Sequence, residues 1–94
     1  MSGEITVTDN PDASRYELRV AGELAAFVTY HLRPGRIVLI HTETLAEFAG
    51  HGLASRLARE VLDEARGRGL LVTPRCPFIA RYIAEHPAYQ DLVA

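Results

Sequence analysis

The hydrophobic pattern of this chain changes period once, and two glycines mark the change. Up to Thr44, apolar residues alternate or cluster in short runs. From Leu53 onward, Leu53, Ala54, Leu57, Ala58, Val61, Leu62 and Ala65 recur at helical spacing, and Arg56, Arg59, Glu60, Asp63 and Glu64 cover the other face. Gly50 and Gly52 stand at the seam, after the apolar run Ile37 to His41 and at the start of the helix. The first amides of a helix have no intrahelical partner and lie at the positive end of its dipole. Glycines without a Cβ let an anion such as a phosphate approach those amides. The competing reading is that the glycines only serve a tight turn, and a short glycine motif does not decide between the two.

The segments before the seam read as strands. Glu4 to Thr8 alternate, and Asp9 to Asp12 form a turn cluster around Pro11. Tyr16, Leu18 and Val20 alternate with Arg15, Glu17 and Arg19, the pattern of a strand with one wet face. Ala21-Gly22 is a tight hairpin signal, and Leu24 to Leu32 is a longer strand. Arg33-Pro34-Gly35-Arg36 suits a type II turn, with proline presetting the first central residue and glycine taking positive φ at the second. Arg36 to Thr42 reads as a strand buried on both faces. These four strands predict an antiparallel meander.

After the long helix, Gly67 and Gly69 are expected as C-cap glycines. Leu70 to Thr73 reads as a short strand, and a strand-helix-strand crossover makes it parallel to a sheet partner. Pro77 suits the first turn of a second helix, whose apolar face is Phe78, Ile79, Tyr82 and Ile83, and His86-Pro87 ends it. The tail is expected to pack back through Tyr89 and Leu92. The order is ββββαβα, an α+β fold in one domain over residues 1–94.

Composition limits the classes of function. The chain has 94 residues, 48% of them apolar and 23% charged, with a net charge of -2, so it carries no overall basic footprint for nucleic acid or an anionic membrane. No apolar run approaches membrane-spanning length, and the N-terminal residues lack the charged and apolar regions of a secretory signal. With Cys76 as the only cysteine, no intrachain disulfide forms, and a reduced, cytoplasmic protein is expected. All basic side chains other than histidine are arginine.

Two strand ends converge where chemistry is expected, since ligands in open sheets favour the carboxyl ends of strands beside helix starts. One ends at His41 and leads to the glycine loop; the other ends near Thr73 and leads to Cys76. At about the N-cap of the second helix and next to Arg75, Cys76 is a candidate thiolate nucleophile; the alternative is a buried small hydrophobe. His41 and Glu43 lie two apart on a strand, so both point to one face. That places a candidate general base beside a carboxylate able to orient it; the alternative is a histidine satisfied within the sheet and a glutamate capping a loop. No His, Cys, Asp or Glu cluster has the spacing of a metal site.

Two blocks carry a resemblance. The first is Ile37-Val38-Leu39-Ile40-His41-Thr42-Glu43-Thr44 followed by Gly50-His51-Gly52-Leu53-Ala54-Ser55. The second runs from Thr73 to Tyr89 and holds Cys76-Pro77-Phe78, Tyr82 and His86-Pro87-x-Tyr89. Together they make the chain resemble the Gcn5-related N-acetyltransferase superfamily, and within it the branch of very small stand-alone domains. The resemblance implies an acetyl-coenzyme A-dependent N-acetyltransferase with an amine acceptor, either an exposed amine on a protein or a small polyamine. It implies a coenzyme site at Thr42, Phe48, Ala49, Gly50, His51, Gly52, Leu53, Ala54 and Arg81. Amides from about Phe48 to Ala54 would hold the pyrophosphate, and the pantetheine arm would lie between the two parted strands. The acetyl group would then reach His41 and Cys76, with Glu43 supporting His41. Transfer would be direct, with His41 taking the proton of the amine, or would pass through an acetyl-Cys76 intermediate. One departure from the family pattern is Glu47, where glutamine or arginine is usual; a carboxylate there leaves His51, Arg56 or Arg81 as charge partners for the phosphates.

Two other readings remain beside the enzyme. One is a coenzyme A or acyl-coenzyme A binding module with little turnover, which Glu47 and the small branch's lack of the later strands that build the acceptor site in larger relatives favour. The other is a thiol-based acyl carrier or redox protein centred on Cys76, for which the chain supplies no resolving cysteine.

Overall fold

The computed structural model describes residues 3–93; Met1 and Ser2, which belong to the N-terminal reading above, and Ala94 lie outside them. Five strands form one sheet in sequence order: β1 (Ile5–Asn10), β2 (Arg15–Val20), β3 (Glu23–Arg33), β4 (Arg36–Thr44) and β5 (Leu71–Pro74). The first four pair antiparallel and β5 joins β4 in parallel, as the crossover requires. Two helices, α1 (Leu53–Gly67) and α2 (Pro77–Glu85), pack on one face of the sheet, and a 3-10 segment, Pro87–Leu92, closes the tail. The expected α+β order ββββαβα is the one observed.

The turns follow from residue chemistry. At the β2–β3 hairpin, Ala21 and Gly22 take φ of 52° and 85°, the paired left-handed conformation whose twist matches the flanking strands. Gly35 takes φ 70° in the β3–β4 turn after Pro34. At the end of α1 only Gly69 is left-handed, at φ 70°; Gly67 is the last helical residue and does not act as a cap. The Leu70 amide bonds the Ala65 carbonyl at 2.9 Å and the Gly69 amide bonds that of Arg66 at 3.1 Å, the reciprocal pair of a Schellman motif.

The helical face of the sheet contributes Tyr16, Leu18, Ala26, Val28, Tyr30, Ile37, Leu39 and Val72 to one buried cluster. The helices meet them with Leu57, Ala58, Val61, Leu62, Ile79 and Ile83. Each fully buried leucine or isoleucine here contributes about 1.5–3 kcal/mol relative to exposure. Among the described residues, no helix packs on the opposite face of the sheet. There Glu17, 4% exposed, accepts from Arg15 Nε at 2.7 Å, Arg19 Nη2 at 2.8 Å and Asn10 Nδ2 at 3.1 Å.

Three expectations shift. β1 continues through the predicted turn cluster, because Asp9 and Asn10 pair with Tyr16 and Arg15. β5 begins one residue later than expected, after the Schellman turn consumes Leu70. β4 is buried on both faces only from Ile37 to Leu39; Ile40 and His41 are exposed because β5 has ended beside them.

Candidate active site

The β4–β5 ladder stops at Leu39 and Pro74. Two local causes coincide there. Pro74 has no amide to donate, so the ladder cannot continue through it. On the other side of β4, Thr29 pairs with His41 and Tyr30 with Leu39, which leaves Ile40 as an extra residue. Such a bulge bends its strand and increases the twist. One further bond, from the Cys76 amide to the Leu39 carbonyl at 2.9 Å, marks the apex. Beyond it Ile40–Thr44 run on beside β3 while the other chain turns into α2. The strands part where the sequence placed the two converging ends.

The glycine loop follows the open half of β4 and precedes α1, and its Phe48 and His51 line a cavity with Ile5 and Val20 of β1 and β2. A 3-10 turn, Ala46–Phe48, follows β4, and within it the amides of Phe48 and Ala49 bond the carbonyls of Leu45 and Ala46. Those two amides are therefore engaged, unlike the span that the family resemblance implied. Gly50 and Gly52 take φ of 85° and 71°, and Gly52 is the N-cap of α1 without any side-chain cap. Among the described residues, the amides from Gly50 to Ser55 donate to no other group; the first helical bond is Arg56 to the Gly52 carbonyl at 3.1 Å. A Cβ built on Gly50 or Gly52 meets nothing within 4 Å, so these glycines serve backbone conformation and open space, not packing. The first turn of α1 carries no acidic residue. Glu47 is exposed on the 3-10 turn, outside the helix that supplies the amides.

His41 and Glu43 share a face, as their spacing predicts. His41 Nε2 and Glu43 Oε1 are 3.2 Å apart, with the side chains 61% and 50% exposed. A carboxylate only accepts, so this bond puts the imidazole proton on Nε2 and leaves Nδ1 as the basic nitrogen. The exposed ring is not a histidine satisfied inside the sheet. Register fixes the face: His41 pairs with Thr29 and Glu43 with Phe27, on the side of the sheet away from the helices.

Cys76 lies on the other side. It is the N-cap of α2, 3% exposed, and belongs to the core cluster. Its Sγ is 3.3 Å from Thr42 Oγ1. Thr42 lies between His41 and Glu43 in the strand, so its side chain faces the helices. The structure thus brings together Thr42 with Cys76, and His41 with Glu43, on opposite faces of β4. The Thr42–Cys76 contact joins residues far apart in the chain, and no local pattern signals it.

The second block of the resemblance has a structural account. Pro77 starts α2. Tyr82 stacks on His86 at 3.9 Å between ring centroids, and His86 Nδ1 is 2.7 Å from the Tyr82 carbonyl. Tyr89 donates to Asp63 at 2.7 Å, and Arg66 bonds both carboxylate oxygens of Asp91, which ties the tail to α1. Burial raises the hydroxyl of Tyr89 to about 12, reinforced by Asp63. Of the proposed phosphate partners, Arg56 is held by Glu60 at 2.9 Å, Arg81 is exposed on α2 without a carboxylate partner among the described residues, and His51 lies in the glycine loop beside Phe48 and Leu53. No group of three or more His, Cys, Asp or Glu among the described residues is placed to share a metal ion.

The fold is a mixed five-stranded sheet whose β4 and β5 part beyond Leu39 and Pro74, with unpartnered amides at the start of α1. The family model for GCN5-related N-acetyl-transferase matches residues 15–92. The chain belongs to this family of N-acetyltransferases. Solved structures agree in fold. A GCN5-like protein from Staphylococcus aureus superposes with a TM-score of 0.69 at 22% identity, over 97% of this chain and 87% of that one. A ribosomal-protein-alanine N-acetyltransferase from Brucella melitensis biovar Abortus 2308 gives 0.57 at 21% identity, over 85% of this chain and 61% of that one. Among curated proteins, none matches this chain. No helix among the described residues is long and apolar enough to cross a membrane.

Proposed function

We propose that this chain moves the acetyl group of acetyl-coenzyme A to an amine by direct transfer. One observation carries the reading: the amides from Gly50 to Ser55, at the start of the helix that follows the parted end of β4, are unpartnered among the described residues. They suit the pyrophosphate of coenzyme A, with Arg81 available as a charge partner. The gap suits an extended arm beside the edge of β4, including Thr42. His41 Nδ1 takes the proton as the amine nitrogen bonds to the acetyl carbon and the carbon–sulfur bond breaks, releasing coenzyme A. Glu43 holds the imidazole and stabilises its cationic form. The burial of Cys76 in the core favours this route over an acetyl-cysteine intermediate. A reducing, cytoplasmic setting suits its free thiol.

The binding-module reading draws on a specific observation too: the pair implied by the resemblance, His41 and Cys76, is not assembled on one face of β4. Thermal unfolding tests binding first. A ligand bound only to the native state adds about 2.7 kcal/mol at one hundred times its dissociation constant. The melting temperature is expected to rise with coenzyme A and acetyl-coenzyme A and to stay unchanged with ATP or NAD. No rise with either coenzyme at millimolar levels overturns both readings. In Gly52→Val the left-handed N-cap costs about 1–2 kcal/mol and the rise disappears while the protein stays folded. Release of free thiol on adding amines then separates enzyme from module.

A further inference from the structure

The face of the sheet without helices holds a groove of about 500 Å³ beside the point where β4 and β5 part. Its walls carry His31, Arg33, Arg36 and Arg75, and Val38, Ile40 and Thr73 complete it. No carboxylate lines it. The arginines of this chain divide sharply. Arg15, Arg19, Arg56, Arg66 and Arg68 each lie within salt-bridge distance of a carboxylate. Arg33, Arg36, Arg59, Arg75 and Arg81 have no such partner among the described residues, and three of these five converge on this groove. Like charges gathered without a counter-charge repel one another, and an anion in the groove removes that cost. The groove is also built: Arg36 Nη1 donates to Thr73 Oγ1 at 2.8 Å, which fixes the guanidinium across the paired part of β4 and β5. A planar guanidinium held in this way is suited to a carboxylate or phosphate.

Its position relates it to the chemistry. Register places His31, Arg33, Arg36, Val38 and Thr73 on the same face as His41. Ile40 precedes His41 and Arg75 precedes Cys76, so the groove borders both strand ends. At about 3.3 Å per residue, Val38 is roughly 10 Å along β4 from His41. The glycine loop starts a helix that packs on the other face, so this face is left free for an acceptor.

We infer that this groove is the acceptor site and that it selects amines carrying a carboxylate or phosphate several bonds from the nitrogen, with the anion between Arg33, Arg36 and Arg75 and the amine at His41. The inference rests on the acetyltransferase reading and narrows it. It excludes the small polyamine that the family resemblance otherwise admits, because a polycation would meet three arginines.

Four amines of similar length test it: 6-aminohexanoate, 6-aminohexyl phosphate, hexylamine and spermidine. With acetyl-coenzyme A, at least one anionic amine is expected to exceed hexylamine by ten-fold or more in kcat/KM, with spermidine the poorest. The first two compounds separate a carboxylate from a phosphate preference. Independently of turnover, titrating the better anionic amine is expected to move the amide resonances of Val38, Ile40 and Thr73, with or without coenzyme A. Arg33→Glu and Arg75→Glu, both at exposed positions, should each cut that affinity at least ten-fold while the melting rise with coenzyme A persists. A persistent melting rise with no anion preference and unmoved groove resonances overturns the acceptor inference and leaves the acetyltransferase reading standing. Loss of the melting rise in the unaltered protein overturns that reading instead, while movement of the groove resonances still reports an anion site.

Discussion

Arg36 to Leu39 and Ile40 to Thr44 are halves of one strand and differ in what lies beside them. The first half has β3 on one edge and β5 on the other, and its side chains Ile37, Val38 and Leu39 are all buried. The second has β3 alone, and its residues alternate between the half-buried Thr42 and Thr44 and the exposed His41 and Glu43. Pro74 and the extra residue Ile40 divide them. Ile37 and Leu39 of the closed half serve packing, whereas His41 and Glu43 of the open half are exposed and carry little of the stability. Substitutions on either side of Ile40 should therefore separate folding from turnover.

The largest effect is expected in the closed half. Leu39→Ala removes a fully buried side chain at the apex and should cost about 2–5 kcal/mol. Urea unfolding would show a lower midpoint at an unchanged slope. His41→Ala, two residues on, should leave stability within about 0.5 kcal/mol, since the ring is largely in water. Thiol release in the presence of an amine acceptor should fall by about 10²–10⁴, the usual contribution of a general base. Equal turnover in His41→Ala and the parent would move the base elsewhere.

A second contrast lies within the uncovered face. At β2 the arginines are paired: hydrogen bonds from Arg15, then Asn10 and Arg19, outweigh burial and hold the Glu17 carboxyl at about 2, below its ordinary 4.5. At the β4–β5 end they are not. The Glu17 contribution is fully present above pH 4.5 and is lost as pH falls toward 2, because the unfolded chain takes up the proton first. Its size is about 1–2 kcal/mol, reduced because Arg15 and Arg19 remain 27% and 38% exposed. In Glu17→Gln the decline of stability between pH 4.5 and pH 2 should be shallower by that amount. An unchanged acid limb would mean that the cluster does not hold the sheet.

What could be read in advance follows the same division. The meander, the Gly35 turn, α1 and its free amides are local: each depends on residues a few positions apart, and each was legible. So was the shared face of His41 and Glu43, which needs only the period of a strand. The bulge at Ile40 was not, because it depends on which residue of β3 each residue of β4 faces. The Thr42–Cys76 contact and the gathering of Arg33, Arg36 and Arg75 depend on the β4–β5 register, which no single segment encodes. Pro74 was the available signal for the parting of the strands, since a proline in a short strand marks its end. In the second block only Cys76 and Arg81 are expected at the site, while Tyr82 is expected in the apolar face of α2 and Tyr89 in the packing of the tail. Tyr89 does fold the tail onto α1, and the sequence pattern left out only its partner, Asp63.

The smallest effect is the one that decides the route. Cys76→Ser keeps the shape of the N-cap and keeps a hydroxyl within reach of Thr42 Oγ1, which the sulfur meets at 3.3 Å. A buried hydroxyl costs little when it is bonded, so the expected loss of stability is about 1 kcal/mol or less. Under direct transfer the acyl group never bonds to sulfur. Thiol release should then stay within about two-fold of the parent, and intact mass after incubation with acetyl-coenzyme A should show no acetyl adduct. An adduct on the parent that Cys76→Ser lacks, with turnover lost in the variant, would require Cys76 to leave the core during the reaction. In that case Thr42, as its partner in the closed state, is the next residue to change.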